Sequence, residues 1–119
     1  MTPDEAMHRV DELLSHVWMV RTFLKHSEEA AEDDELAEVH RELYDYMLAL
    51  GAPWEAGNSD EYLQVARKKW SKLQRTTDLF LEIQPEVSMH MNFRMAARSL
   101  RTAVDDIGRL LEGGKAVSG

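Results

Sequence analysis

Four polar side chains interrupt the apolar repeats of this chain where they could bind a ligand. Arg21 and Glu28 break a repeat of three and four residues in the first third of the sequence, and Thr77 and Gln84 break a similar repeat further on. A guanidinium cannot lose its charge in a protein, so it needs a carboxylate, phosphate or carbonyl partner wherever it leaves water. Arg21 therefore predicts an anchor for a polar or anionic ligand, with Thr77 and Gln84 as supporting contacts.

Arg21 has a second interpretation, which the sequence leaves open. Its guanidinium could pair inside the protein with Glu28, Glu42 or Asp45, or its long stem could carry the charge out to solvent. An internal ion pair predicts that Arg21→Leu is tolerated. A ligand anchor predicts that the same change abolishes ligand binding while the fold survives.

Two histidines belong to the same region. His40 lies at the edge of the second apolar repeat, and His90 precedes the fourth. Imidazole and carboxylate groups bind divalent metals, so Glu28 with His40 predicts a metal site, and His90 is predicted to contact the ligand. We predict no obligatory cofactor and keep a divalent metal as the alternative.

The acidic stretch from residue 28 to residue 45 resembles the carboxylate pattern of all-α nucleotide pyrophosphohydrolases. It carries Glu-Glu-x-x-Glu at 28–32 and Glu-x-x-Asp at 42–45. The resemblance implies two helices whose carboxylates hold Mg²⁺ for attack on a nucleoside triphosphate. The interval between the two motifs is shorter than that family's hairpin usually spans. This activity is the least favoured of the alternatives.

Four helices must position these side chains. Apolar residues recur at alternating steps of three and four in four successive runs, and this spacing keeps one stripe of each helix against its neighbours. The pattern predicts an all-α fold, an antiparallel up-down four-helix bundle with heptad-like seams. In that topology Arg21, Glu28, Thr77 and Gln84 gather at one end of the bundle, which we call the polar end.

Capping residues and helix breakers give the expected bounds. Thr2 and Glu5 form a capping box around Pro3, Gly51 is expected to end the second helix, and Pro85 is expected to end the third. We predict helices over about 3–30, 34–51, 59–83 and 86–113. They form a single domain over residues 1–114, followed by a frayed tail at 115–119.

Composition narrows the function classes. The 119 residues contain no cysteine, which excludes thiol catalysis, thiolate metal sites and disulfides. The net charge is −8, and residues 1–60 hold 15 acids and 4 bases, which argues against nucleic-acid binding. No apolar run approaches the roughly 20 residues that a membrane span needs, and the N-terminus lacks signal-peptide features. We expect a cytoplasmic protein with no membrane partner.

A second apolar stripe runs along the third predicted helix through Val65, Leu79 and Ile83. An exposed apolar stripe is typical of an interface, so we predict self-association there and allow for a protein partner. Together with the lack of a complete catalytic motif, this favours a non-catalytic interaction or scaffold module that holds a small polar or anionic ligand at the polar end. The alternative is a metal-binding or metal-dependent helical-bundle enzyme acting at the same end.

Overall fold

The computed structural model describes residues 1–118, with side chains through residue 112. Within that range the chain is helical without strands, which confirms the all-α class. The four-helix arrangement holds only roughly, because two of the predicted helices are interrupted. The elements are α1 (Pro3–Lys25), α2 (Glu28–Glu32), α3 (Asp34–Glu55), α4 (Ser59–Lys68), α5 (Trp70–Val87) and α6 (Met91–Ser118).

The interruptions have local causes. α1 ends at Lys25, and the Ser27 hydroxyl accepts a hydrogen bond from the Ala30 N–H at 3.1 Å, which caps the single turn of α2. Asp33 then caps α3 through the Leu36 N–H at 3.0 Å. The third predicted helix breaks at Lys69, whose φ of −98° and ψ of 0° leave the helical region. Capping side chains therefore account for the first interruption, whereas no side chain caps the start of α5 at Lys69.

The second predicted helix is longer than expected. Gly51 does not end it, and Pro53 lies inside α3, so the predicted loop at 52–58 is largely helical. The helix ends at Glu55, and two residues beyond it Gly57 has a φ of 65°, the left-handed value that favours glycine. There the N–H groups of Gly57 and Asn58 each donate at 3.0 Å, to the carbonyls of Trp54 and Pro53, in a Schellman arrangement.

Pro85 also lies within a helix. α5 continues through it to Val87, and because Pro85 lies in the last turn, the missing N–H bond and the contact of its ring with the preceding turn affect only the end of the helix. The Gln84 side-chain amide donates to the Ser88 carbonyl at 2.8 Å and so supports this end. α6 begins at Met91, after a turn in which His90 Nδ1 accepts from the Asn92 N–H at 3.0 Å.

The helices pack as a square. α1 contacts α3 and α6, α5 contacts the same two helices, and α4 lies against α1 and α3. Along α1, Val10, Val17 and Leu24 repeat every seven residues and are fully buried. Leu100, Val104 and Ile107 of α6 and Leu36, Val39 and Leu43 of α3 are fully buried as well.

The second apolar stripe is largely used by the core. Ile83 is buried, and Val65 and Leu79 are half-buried and pack against the core. Self-association through this stripe stays a prediction. The single domain at 1–114 also stays a prediction, and of the tail at 115–119, Gly119 and the side chains lie outside the described residues.

None of the helices described here combines the length and the apolar character that crossing a bilayer requires.

A close helix contact gives the first testable prediction. A Cβ added to Gly108 of α6 would lie 2.5 Å from the indole of Trp70, whereas one added to Gly51 meets nothing within 4 Å. Gly108→Ala should lower the free energy of unfolding by about 1–3 kcal/mol, because the partly buried indole must move. Gly51→Ala should raise it by about 0.5–1 kcal/mol through helix propensity. Urea denaturation of both variants measures these changes, and equal effects at the two glycines would contradict the contact.

Candidate functional site between α1 and α3

Arg21 is held by two aromatic rings. Its Cζ atom lies 4.9 Å from the ring centroid of Trp18 on α1 and 4.6 Å from that of Tyr44 on α3. The ring centroids are 6.4 Å apart. Cation–π contacts of this kind orient a guanidinium without neutralising it. Among the described ion pairs none includes Arg21, so the predicted pairs with Glu28, Glu42 or Asp45 do not form in this structure.

One hydrogen-bond donor of the Arg21 guanidinium has no partner among the described residues. Its Nε atom is buried and makes no hydrogen bond to any described residue. An unsatisfied buried donor costs roughly 1–3 kcal/mol, and more when the group is charged. A bound acceptor that reaches this nitrogen would recover part of that cost. The ligand-anchor interpretation of Arg21 stays a prediction, and it requires a donor without a partner of this kind.

Three cations lie near enough to His40 to lower its pKa. Burial lowers the pKa of His40, and the positive charges of Arg41, Arg21 and Lys25 lower it further, in that order. Residues 1–60 contain only four Lys and Arg residues, and three of them act on this one imidazole. An otherwise acidic half of the chain thus gathers most of its positive charge at one place. We call Arg21, Lys25 and Arg41 the cation cluster.

A groove lies between α1 and α3, and Trp18, whose ring contacts Arg21, is one of the residues that line it. It has a volume of about 450 Å³, and Trp18, Met47 and Trp54 form much of its apolar wall. Two carboxylates, Asp11 and Glu55, lie at one end of the groove. Asp11 and Trp18 are seven residues apart on one face of α1, and Lys25 is seven further on, so these groups span about 20 Å along the helix. The residues that line the groove include Asp11 and Glu55 and none of the cation cluster, which lies beside the groove next to Trp18.

Tyr62 of α4 also lines this groove at its acidic end. The residue is fully buried, and its hydroxyl has no hydrogen-bond partner among the described residues. Burial raises its pKa, and the charges of Asp11 and Tyr46 raise it further, so the phenol stays protonated at neutral pH. Burial likewise raises the pKa of Asp11. The centroid of the Tyr62 ring lies 6.1 Å from that of the Trp54 ring.

The other predicted ligand contacts lie elsewhere. The Thr77 hydroxyl is fully buried and donates to the Leu73 carbonyl at 2.8 Å within its own helix. Gln84 and His90 are engaged at the α5–α6 turn. No contact joins any of the three to the cation cluster, so the structure does not bring the predicted ligand-binding set together as one site; their predicted role stays untested.

Glu28 and His40, the predicted metal ligands, have no third metal-binding side chain beside them among the described residues. Glu28 is exposed at the first turn of α2, and His40 is partly buried on α3. Among the described residues no three His, Asp or Glu side chains are placed to hold a metal ion. In the stretch that resembles nucleotide pyrophosphohydrolases, Glu42 forms an ion pair with Lys72 at 2.9 Å. Glu42 is therefore matched by a positive charge from α5.

A second, wider groove runs between α1 and α6, with a volume of about 1050 Å³. Arg9, His16 and Arg98 contribute to its polar lining. His16 Nδ1 and the Ser99 hydroxyl approach to 3.4 Å across it. Asp11 lines both grooves, so the two meet over the exposed side of α1.

A model of a known family, the cobalamin adenosyltransferases, matches residues 4–107, which include α1 to α5 and most of α6. The chain belongs to the cobalamin adenosyltransferase family. No curated protein and no solved structure was found to match it.

Membership of the cobalamin adenosyltransferase family corrects two of the predictions. The non-catalytic scaffold is wrong, because the family is one of enzymes, and an interaction or self-associating role has no support from it. The expectation that no cofactor is involved is not supported either, since the family name includes cobalamin. The alternative of a helical-bundle enzyme fits the family better.

The sequence pattern did not indicate most of the residues that form the groove and hold Arg21. Trp18, Tyr44 and Asp11 stand one step off the apolar seams, where side chains are expected to be solvated. The available signal was the size of the aromatic residues at those positions, since exposed tryptophan and tyrosine beside an arginine are typical of binding surfaces.

We predict that an anion bound at the cation cluster raises the pKa of His40. Inorganic tripolyphosphate bound there would offset the three positive charges and raise the pKa of His40 toward its ordinary value of about 6.5. Nuclear magnetic resonance of the imidazole signals during a pH titration, with and without tripolyphosphate, measures the change. The ring signals of His16 in the other groove are the internal control and should not follow the anion. An unchanged His40 titration at high tripolyphosphate concentration would rule out an anion site here.

The same pKa shift affects stability. Between the lowered pKa of His40 in the folded protein and its ordinary value of about 6.5 in the unfolded chain, the unfolded state binds more protons. The His40 contribution therefore lowers stability as the pH falls through that interval. His40→Gln should reduce this pH dependence in urea denaturation at pH 7 and at pH 5.5, whereas an unchanged slope would show that His40 is not responsible.

Proposed function

We propose that this protein transfers the adenosyl group of ATP to the reduced cobalt of cobalamin, with release of the triphosphate, and that it binds the phosphates of ATP at the cation cluster beside the groove between α1 and α3. The observation that carries the reaction is the family match over residues 4–107. The observation that favours this placement is the cation cluster, with a buried guanidinium nitrogen that lacks a partner.

A triphosphate suits the cation cluster chemically. Phosphate oxygens are strong acceptors, and Arg and Lys side chains are the donors that most often bind them. Arg21 is already oriented by Trp18 and Tyr44, so less side-chain entropy is lost when it binds a ligand. Lys25 and Arg41 add charge without a fixed direction, which suits a flexible chain of phosphates.

The same face of α1 and α3 offers apolar surface for the cobalamin substrate. Trp18 is 46% exposed, Met19 66% and Leu48 62%, and such exposure of large apolar side chains is typical of binding surfaces. Cobalamin holds its cobalt in a macrocycle, so a protein that binds it can offer a surface rather than a set of metal ligands. We infer that the macrocycle packs across this exposed apolar surface.

The activity is tested directly by the product. The purified protein is incubated with ATP and with cobalamin kept reduced, so that the cobalt is nucleophilic, and adenosylated cobalamin is measured by its absorbance spectrum and its mass. The expected result is product that depends on both ATP and folded protein. If ATP binds but no adenosylated cobalamin forms, the proposed reaction is wrong for this chain.

Substitution of Arg21 tests where the triphosphate binds. Arg21→Met removes the charge and keeps an unbranched stem against the two rings, so the fold should survive. Hydrogen bonds to charged groups contribute about 1.5–3 kcal/mol, which corresponds to a 10- to 150-fold loss of ATP affinity. Isothermal titration calorimetry measures the affinity, and the thermal unfolding midpoint checks the fold. Arg21→Lys should retain part of the affinity.

The matched control is Arg98→Met, which removes an exposed arginine from the groove between α1 and α6. This variant should bind ATP like the unchanged protein. If it loses ATP affinity while Arg21→Met keeps it, the donor binds in the wider groove and our placement is wrong.

A further inference from the structure

The groove between α1 and α3 combines apolar walls with two carboxylates. Trp18, Met47 and Trp54 form much of its apolar wall, and Asp11 and Glu55 lie at one end. None of the described residues that line it is a lysine, an arginine or a histidine. A groove with apolar walls and a few polar groups is the usual form of a small-molecule site. The negative charge at one end indicates that the ligand is a cation.

The two carboxylates are not neutralised by a cation of the protein. The ion pairs among the described residues include neither Asp11 nor Glu55. Burial raises the pKa of Asp11, and the charge of His8 opposes this rise only in part. A carboxylate that loses water without gaining a cation is destabilised, and a bound ammonium group would offset that loss.

The groove has a charged end and an apolar end. The ring centroids of His8 and Trp54 are 5.2 Å apart, and those of Trp18 and Tyr44 are 6.4 Å apart, so α1 and α3 run antiparallel. Asp11 therefore lies level with the C-terminal turns of α3, and Trp18 lies nearer the middle of that helix. Seven residues separate Asp11 from Trp18, which is about 10 Å along α1. A ligand with a cationic head and an apolar tail of similar length fits this arrangement.

We propose that the groove between α1 and α3 binds an organic ammonium ion with an aromatic tail. The ammonium group donates hydrogen bonds to the carboxylates of Asp11 and Glu55, and the tail packs against Trp18 and Met47. Trp54 precedes Glu55 in α3, and the face of an indole ring attracts a cation. The site requires neither ATP nor cobalamin, so this inference goes beyond the proposed adenosyl transfer and is tested without either substrate.

Three ligands of similar shape and different charge test the inference. The probes are 4-phenylbutylamine, the neutral 4-phenylbutan-1-ol and the anion 5-phenylpentanoate, each titrated calorimetrically into the protein at neutral pH. The amine should bind about 10-fold more tightly than the alcohol, because hydrogen bonds to charged groups are stronger than neutral ones, and the anion should not bind. Equal affinities for the amine and the alcohol would show that the groove recognises apolar surface alone, and the inference would be wrong.

Asp11→Asn and Glu55→Gln each remove one charge and keep the size of the side chain. Each should weaken binding of the amine about 10-fold and leave binding of the alcohol unchanged. Glu12→Gln is the matched control, because Glu12 follows Asp11 in the sequence but lines the groove between α1 and α6. If Glu12→Gln weakens the amine as much as Asp11→Asn does, the amine responds to the net charge of the protein and does not bind at this site.

Gly51 offers a steric test that leaves both carboxylates in place. It lines the same groove, and a Cβ added to it meets nothing within 4 Å. Gly51→Leu should fill part of the groove and lower the affinities for the amine and the alcohol together, while helix propensity keeps the variant folded. Thermal unfolding midpoints check the fold of every variant. Full amine affinity in folded Gly51→Leu protein would place the amine elsewhere and overturn the inference.

Discussion

Burial of one stripe of α1 determines how the rest of the protein is arranged. Val10, Val17 and Leu24 repeat every seven residues and are fully enclosed, so the rotation of α1 about its axis is fixed. Each is followed directly by a residue of another series, Asp11, Trp18 and Lys25. A step of one residue turns by about 100° around the helix, so this second series lies beside α3 rather than in the core. The α1–α3 groove is a consequence of that rotation.

The fold class was readable from the sequence because the apolar period is a property of each helix alone. The helix ends were harder to predict. Gly51 and Gly57 look alike in a sequence, yet only Gly57 adopts the left-handed conformation that ends α3. The choice depends on whether the chain can continue to bury Pro53 and Trp54 against its neighbours, which is a tertiary effect.

The candidate site was predictable only where a single residue carried the signal. Arg21 stood out because a permanent charge in an apolar repeat requires an explanation. Trp18 and Tyr44 did not stand out, because the contact between their rings depends on the relative rotation and register of α1 and α3. Thr77 also stood out, but its hydroxyl is satisfied by the Leu73 carbonyl of its own helix. A polar residue in a seam therefore indicates a site only when its own backbone cannot satisfy it.

The distribution of the three tryptophans has a spectroscopic consequence. Trp18 and Trp54 line the groove between α1 and α3, whereas Trp70 packs against Gly108 where α5 meets α6. The emission of the first two depends on what occupies the groove, and that of the third depends on how closely two helices approach. The intrinsic fluorescence of the protein thus divides into one signal for occupancy and one for packing, and single Trp→Phe replacements separate them without an added label.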